Sequence, residues 1–104
     1  MIVLKFGGTS VEAAEQIDKV VTIAESQLGR APVLVASAMA GITDGLYALA
    51  ETASTGDIES AQEKIAAMKR RHQDVIDALL ESTIKEQAAS DIENLFSELT
   101  SLIK

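Results

Sequence analysis

Residues 33–37, VLVAS, are apolar at every position up to the closing serine. A strand with one wet face alternates apolar and polar residues. A run apolar on both faces belongs in a sheet covered on both sides, which favours parallel pairing. Parallel neighbours need a crossover of a dozen or more residues, usually a helix. The preceding residues supply one. Residues 2–6 read as a first strand, and a helical pattern runs from about Ser10 to Leu28. Val11, Ala14, Val21, Ala24 and Leu28 mark its inner face, with Ile17 and Val20 beside it. Thr9 and Glu12 have capping-box spacing. Gly29 suits a C′ position, and Pro32 keeps the helix from resuming. The first 38 residues therefore spell strand, helix, strand: a right-handed crossover unit.

The second half is helical. A helix is expected from about Thr43 to Ala53, with STGD as punctuation, and a long one from about Ile58 to Leu80. In the long helix Ile58, Ala61, Ile65, Met68, His72, Val75 and Leu79 recur at alternating steps of three and four, the seam of a helical hairpin. A last helix is expected from Ser90, with Ser90 and Glu93 as another capping box, through Ile92, Leu95, Phe96, Leu99 and Ile103. The expected fold class is α/β, a strand–helix–strand unit followed by a helical hairpin. Residues 1–55 hold the strands and their loops, and 56–104 form a helical appendage. Two strands are too few to cover both faces of such a sheet. The chain therefore reads as the N-terminal portion of a larger protein.

Composition narrows the chemistry. The 104 residues include 16 acidic and 9 basic side chains, a formal charge of −7, which opposes binding to nucleic acid or an anionic membrane. There is no cysteine, which removes disulfides, thiolate metal sites and thiol catalysis. The single histidine, His72, makes a histidine-based metal cluster improbable. No stretch approaches the ~20 apolar residues of a membrane span. The N-terminus lacks the shape of a signal peptide. A cytoplasmic domain is the default expectation.

Both strands end in loops of small residues that lead into helices, and open parallel sheets bind ligands beyond the carboxyl ends of their strands. The first loop, KFGGTS, offers backbone N–H groups of Gly7, Gly8 and Thr9, with no side chain at the glycines to hold an anion away. The following helix is expected to add its positive end. Lys5 can reach past the strand tip to the same anion, and Thr9 and Ser10 add hydroxyls. The second loop, SAMAGITD, repeats the plan: Ser37 ends the strand, Gly41 allows close backbone approach, and Thr43 and Asp44 stand at the helix start. Neither loop is a Walker A or G-x-G-x-x-G motif. A lone Gly-Gly after a strand is weak evidence, because turn chemistry explains it. Two such loops in one crossover unit are far more specific.

VLKFGGTSV, followed some two dozen residues later by VLVASAMAGIT, resembles the opening of the aspartokinases, members of the amino acid kinase family. The acidic helical stretch that follows is similar to the helical insertion which that family places before its third catalytic segment. The specific motifs lie in the first 45 residues or so. The resemblance implies the N-terminal part of an α/β/α sandwich and transfer of the γ-phosphoryl of Mg-ATP to the side-chain carboxylate of L-aspartate, with Mg2+ held mainly by the ATP phosphates. It implies that Lys5 contacts the transferring phosphoryl, that Gly7, Gly8 and Ser37 cradle ATP phosphates, and that Thr43 helps hold aspartate. Asp44 stands where many relatives carry Asn, and its charge would repel an anionic substrate, so it is left out of the site. The residues that complete an aspartate site and enclose adenine have no counterpart in these 104 residues. The chain alone is therefore expected to be inactive, and to self-associate as a homo-oligomer.

Plainer readings stand beside these. Lys5 at a strand end can snorkel to solvent, and Thr9, Ser10 and Thr43 can serve only as caps. His72 fits a half-buried packing position, and Met39 and Met68 fit packing too. Lys69, Arg70 and Arg71 are adjacent, so they splay around their helix as a solvated face. Two rival functions remain: a non-catalytic helical interaction module built on the Ile58–Leu79 seam, and another amino acid kinase acting on a different carboxylate.

Overall fold

A computed structural model describes residues 1–103. Strand β1 (Ile2–Phe6) leads into a single 3-10 turn (Gly8–Val11), then helix α1 (Ala14–Ser26), a second 3-10 turn (Leu28–Arg30) and strand β2 (Pro32–Ala36). Helices α2 (Ile42–Ser54), α3 (Ile58–Leu79) and α4 (Ser82–Leu102) follow. β1 and β2 pair in parallel, Ile2 opposite Pro32 through Phe6 opposite Ala36. The N–H of Ser37 donates to the Phe6 carbonyl at 3.0 Å and carries the ladder one residue further. The chain is α/β, with two compact units, Met1–Thr43 and the residues from Asp44 on. No helix among the described residues is long and apolar enough to cross a membrane.

In the first unit the buried side chains are Phe6, Val11 and Ile42. Along β1 the even positions are shielded, Ile2 and Leu4 partly and Phe6 fully, while Val3 and Lys5 are exposed. β2 departs from expectation: Val33, Leu34 and Val35 are each nearly half exposed, so neither of its faces is covered. Its apolar pattern has no second layer to meet among the described residues.

The ends of α1 also differ from the sequence reading. Ala13 is extended and precedes the helix without a side-chain cap bond, so α1 begins at Ala14 and the Thr9–Glu12 spacing does not cap it. At the far end the helix stops at Ser26, and the left-handed residue is Ala31 (φ 50°) rather than Gly29. Pro32 disfavours the right-handed helical region at the residue before it. The N–H of Ala31 donates to the Leu28 carbonyl at 3.2 Å, which closes the turn.

In the second unit α3 and α4 form an antiparallel hairpin. Near the turn Lys85 Nζ lies 3.3 Å from Asp77 Oδ1, and two turns further Lys69 pairs with Glu93. Both pairs are partly solvated, and each contributes at most ~1 kcal/mol. The expected seam holds Ala61, Ile65 and Met68 buried, with Ile76 joining them. His72 is partly buried; its Nδ1 stands 2.8 Å from the Met68 carbonyl, and its ring meets Phe96 edge-on at 5.4 Å. Asp57 caps α3, its Oδ1 accepting from the Ser60 N–H at 3.1 Å.

α4 corrects the expected start at Ser90. It begins at Ser82, so Ser90 and Glu93 lie inside the helix. Residues 85–89, KEQAA, are strong helix formers and carry the helix back past the capping box. The turn is made by Leu80 and Glu81, both extended, and by Ser82 at φ 57°.

α2 packs on α3 at Gly45, where an added methyl would stand 3.1 Å from the Met68 sulfur. Two effects compete if Gly45 becomes alanine. Helix propensity favours alanine by ~1 kcal/mol, and the tight contact opposes it. The obstacle is the flexible thioether of a methionine, which yields by a few tenths of an ångström at low cost. Gly45→Ala is expected to stabilise the unit by ~0.5 kcal/mol in urea denaturation; a fall in midpoint would mean that Met68 is wedged.

Candidate functional site

The two loops meet at the carboxyl end of the parallel pair. A methyl group built on Gly8 would stand 3.5 Å from Ser37 Oγ, 3.6 Å from Ala40 Cα and 3.7 Å from the Ala38 carbonyl oxygen. Gly8 is thus within van der Waals reach of the second loop, and a side chain there would fill the space between them. Gly7 has nothing within 4 Å of the same construction. Its φ of −80° is open to any residue. Neither neighbouring atoms nor backbone conformation therefore demands glycine at position 7, which leaves its small size facing open space.

The 3-10 turn after Gly7 is closed by the Ser10 N–H donating to the Gly7 carbonyl at 3.1 Å. The first N–H groups of a helical turn have no partner within it, so those of Gly8 and Thr9 are available as donors. The expectation that α1 adds its positive end here does not hold. A four-residue turn follows the loop, and α1 starts only at Ala14. The extended Ala13 breaks the run of peptide dipoles between α1 and the first loop.

Lys5 sits on β1 opposite Val35. Successive side chains alternate faces and registered partners share one, so Lys5 lies with Val3, Val33 and Val35 on the exposed side of the pair. Ser37, two residues beyond Val35, continues that face. Lys5 makes no salt bridge among the described residues. Lys5 and Ser37 thus share one sheet face, and Gly8 meets Ser37 at the carboxyl end of the strands. Ser37 is exposed and donates its hydroxyl to the Ala38 carbonyl at 2.6 Å. A hydroxyl hydrogen rotates, so this donor can turn to another acceptor.

Thr43 is the second residue of α2 and is exposed. The turn before it depends on Gly41, whose φ of 84° lies in the left-handed region, and on the Ile42 N–H donating to the Met39 carbonyl at 3.0 Å. Glycine at position 41 is therefore required by its backbone conformation. α2 does start at the second loop, so its N-terminal donors and dipole are directed there. Sequence reasoning missed the backbone of residues 38–40 as the wall that Gly8 faces. Their Ala-Met-Ala side chains carry no chemical signal, and only the crossover brings them to Gly8. Thr9 and Ser10 border a different space, a groove of ≈340 Å³ shared with Phe6, Gln16, Val20 and Ile23.

A family model described as the amino acid kinase family matches residues 1–100. Over 56 residues, 52% of the chain, it is 48% identical to aspartokinase 2 of Bacillus subtilis (strain 168). Over 57 residues, 53% of the chain, it is 37% identical to an aspartokinase of Rickettsia bellii (strain RML369-C) and 40% identical to one of Rickettsia prowazekii (strain Madrid E). The matched stretch spans only 13–14% of the length of these relatives.

Proposed function

This chain belongs to the amino acid kinase family, and from that premise we propose that it is the phosphate-gripping opening of an aspartate kinase. The reaction is transfer of the γ-phosphoryl of Mg-ATP to the side-chain carboxylate of L-aspartate. A carboxylate oxygen forms the new P–O bond, the bond to the β,γ-bridging oxygen breaks, and 4-phospho-L-aspartate and ADP leave. The observation that carries the proposal is the meeting of the two loops: Gly8 against Ser37–Ala40, with Lys5 on the same sheet face.

Each residue has a physical task in this reading. Phosphoryl transfer requires mostly positioning and charge stabilisation. The backbone N–H groups of Gly8 and Thr9 grip phosphate oxygens, and the missing side chain at Gly7 lets them approach. The Ser37 hydroxyl donates from the second loop. The Lys5 ammonium, free of any structural ion pair among the described residues, meets the charge on the transferring group. Thr43, at the start of α2, holds the acceptor amino acid. The open space at Gly7 suits a phosphate group; Mg2+ enters as the ion carried by ATP, and it neutralises phosphate charge. The proposal includes the α/β/α sandwich of the family, a cytoplasmic location and a homo-oligomeric protein.

The test is to incubate the kinase that contains this segment with Mg-ATP and L-aspartate and trap acyl phosphate with hydroxylamine. Aspartyl hydroxamate that depends on ATP is expected. Product with a different carboxylate substrate only would favour another kinase of the family. Thr43→Val separates Thr43's binding role from capping. It should raise the KM for aspartate while leaving that for ATP nearly unchanged, whereas equal effects on both would point to a damaged helix start.

A further inference from the structure

Helix α2 carries Thr43 at its start and meets α3 within the same turn. A methyl built on Gly45 would stand 3.1 Å from the Met68 sulfur, closer than ordinary van der Waals contact, and 3.8 Å from Met68 Cγ. Met68 is itself buried, in the row of Ala61, Ile65 and Ile76 on α3. Leu49, one helical turn beyond Gly45, is buried as well. Thr43 and Gly45 stand two residues apart, so at 3.6 residues per turn they project to roughly opposite sides of α2. The threonine is accordingly exposed and the glycine partly buried. The first turn of α2 thus rests on α3 with the side away from Thr43, and no side chain of its own acts there as a spacer.

We propose, resting on the reading that Thr43 holds L-aspartate, that Met68 is a positioning residue for the acceptor: it backs α2 at Gly45 and so sets where the Thr43 hydroxyl stands. With backbone against side chain, the thickness of Met68 fixes how closely the two helices approach at this point. Residues 43 and 45 belong to one helical turn, which moves as a piece. Lys5, Gly7, Gly8 and Ser37 lie earlier in the chain, before Gly41. Glycine has the widest backbone freedom of any residue, so a shift of α2 can be taken up at Gly41 without disturbing the grip on phosphate.

A single methyl at position 45 is absorbed by the flexible thioether, so the test needs bulk that cannot yield. Valine supplies it. Its β-branched side chain is stiff at χ1 in a helix, and its helix propensity is no worse than that of glycine.

In the kinase that contains this segment, Gly45→Val should raise the KM for L-aspartate roughly tenfold, below the ~10²-fold cost of a 1 Å misplacement. The KM for ATP should stay nearly unchanged. Adding Met68→Ala removes about the volume that valine brings and should restore the KM for aspartate, whereas a merely structural defect would deepen with the loss of a buried methionine. If Gly45→Val does not fold by circular dichroism, Gly45→Ala with Met68→Leu takes its place. Leucine is a swap that cores tolerate but lacks the give of the thioether, and a rise of about threefold is expected. An unchanged KM for aspartate in the folded variant overturns the proposal. So does an equal rise in both KM values, or a KM for aspartate that Met68→Ala fails to restore. Thr43→Val is the reference: if it leaves the KM for aspartate unchanged, Thr43 and Met68 both lose their roles, whereas a rise with Thr43→Val alone removes only that of Met68.

Discussion

Lys5→Met is expected to lower kcat of the active kinase by 10²–10³, with little change in folding stability. Both halves follow from where the side chain stands. On the exposed face of the strand pair it makes no salt bridge among the described residues, so removing its charge leaves no folded-state partner behind. Methionine keeps the length and the apolar stem, which isolates the ammonium as the lost feature. A preorganised charge directed at a developing charge contributes ~3–4 kcal/mol to transition-state stabilisation, hence the size of the effect. Steady-state kinetics together with a thermal melt give the answer. A near-normal kcat would remove Lys5 from the chemistry. An equal loss of stability and rate would return it to a structural role.

Leu49→Ala should destabilise the helical unit by ~3 kcal/mol, at the lower end of the range for deleting a buried leucine. Leu49 is 2% exposed and is the largest fully buried side chain among the described residues. The lower end applies because Leu49 also borders the open α2–α4 groove, where neighbours and water can enter the vacated space. The loss is nonetheless large for this unit, whose other buried side chains are Ala61, Ile65, Met68 and Ile76. A chain of this size has a total stability of only ~5–15 kcal/mol. At ~4–8 °C per kcal/mol, the melting temperature should fall by more than ~10 °C. A shift below ~4 °C would mean that α2 is held on α3 by the Gly45–Met68 contact instead.

Elements whose signal lies within a few residues of sequence were legible without coordinates. The two strands, α2 and α3 follow from apolar runs, helical spacing and the punctuation of STGD, and the structure starts or ends them within a residue or two of expectation. That both strands end in loops of small residues was legible for the same reason, because those residues show in the sequence itself. The helix boundaries read from capping boxes failed at both Thr9 and Ser90. A box is a local option that competes with its surroundings: at Ser90 the helix-forming residues before it carried α4 back to Ser82, and at Thr9 the chain chose a 3-10 turn and an extended Ala13.

The sequence by itself determined the parallel strand–helix–strand unit, the helical remainder, and a lysine and glycines at a strand tip. Periodicity, propensity and turn chemistry act over distances shorter than a helical turn or two, so they are written in the residues themselves. Only the tertiary structure decided that Gly8 faces residues 37–40, that Lys5 and Ser37 share one face, that the faces of β2 are open, and that α2 and α4 leave an uncharged groove. These are contacts between segments distant in the chain. They depend on strand register and on which helix covers which face, and no local pattern encodes either.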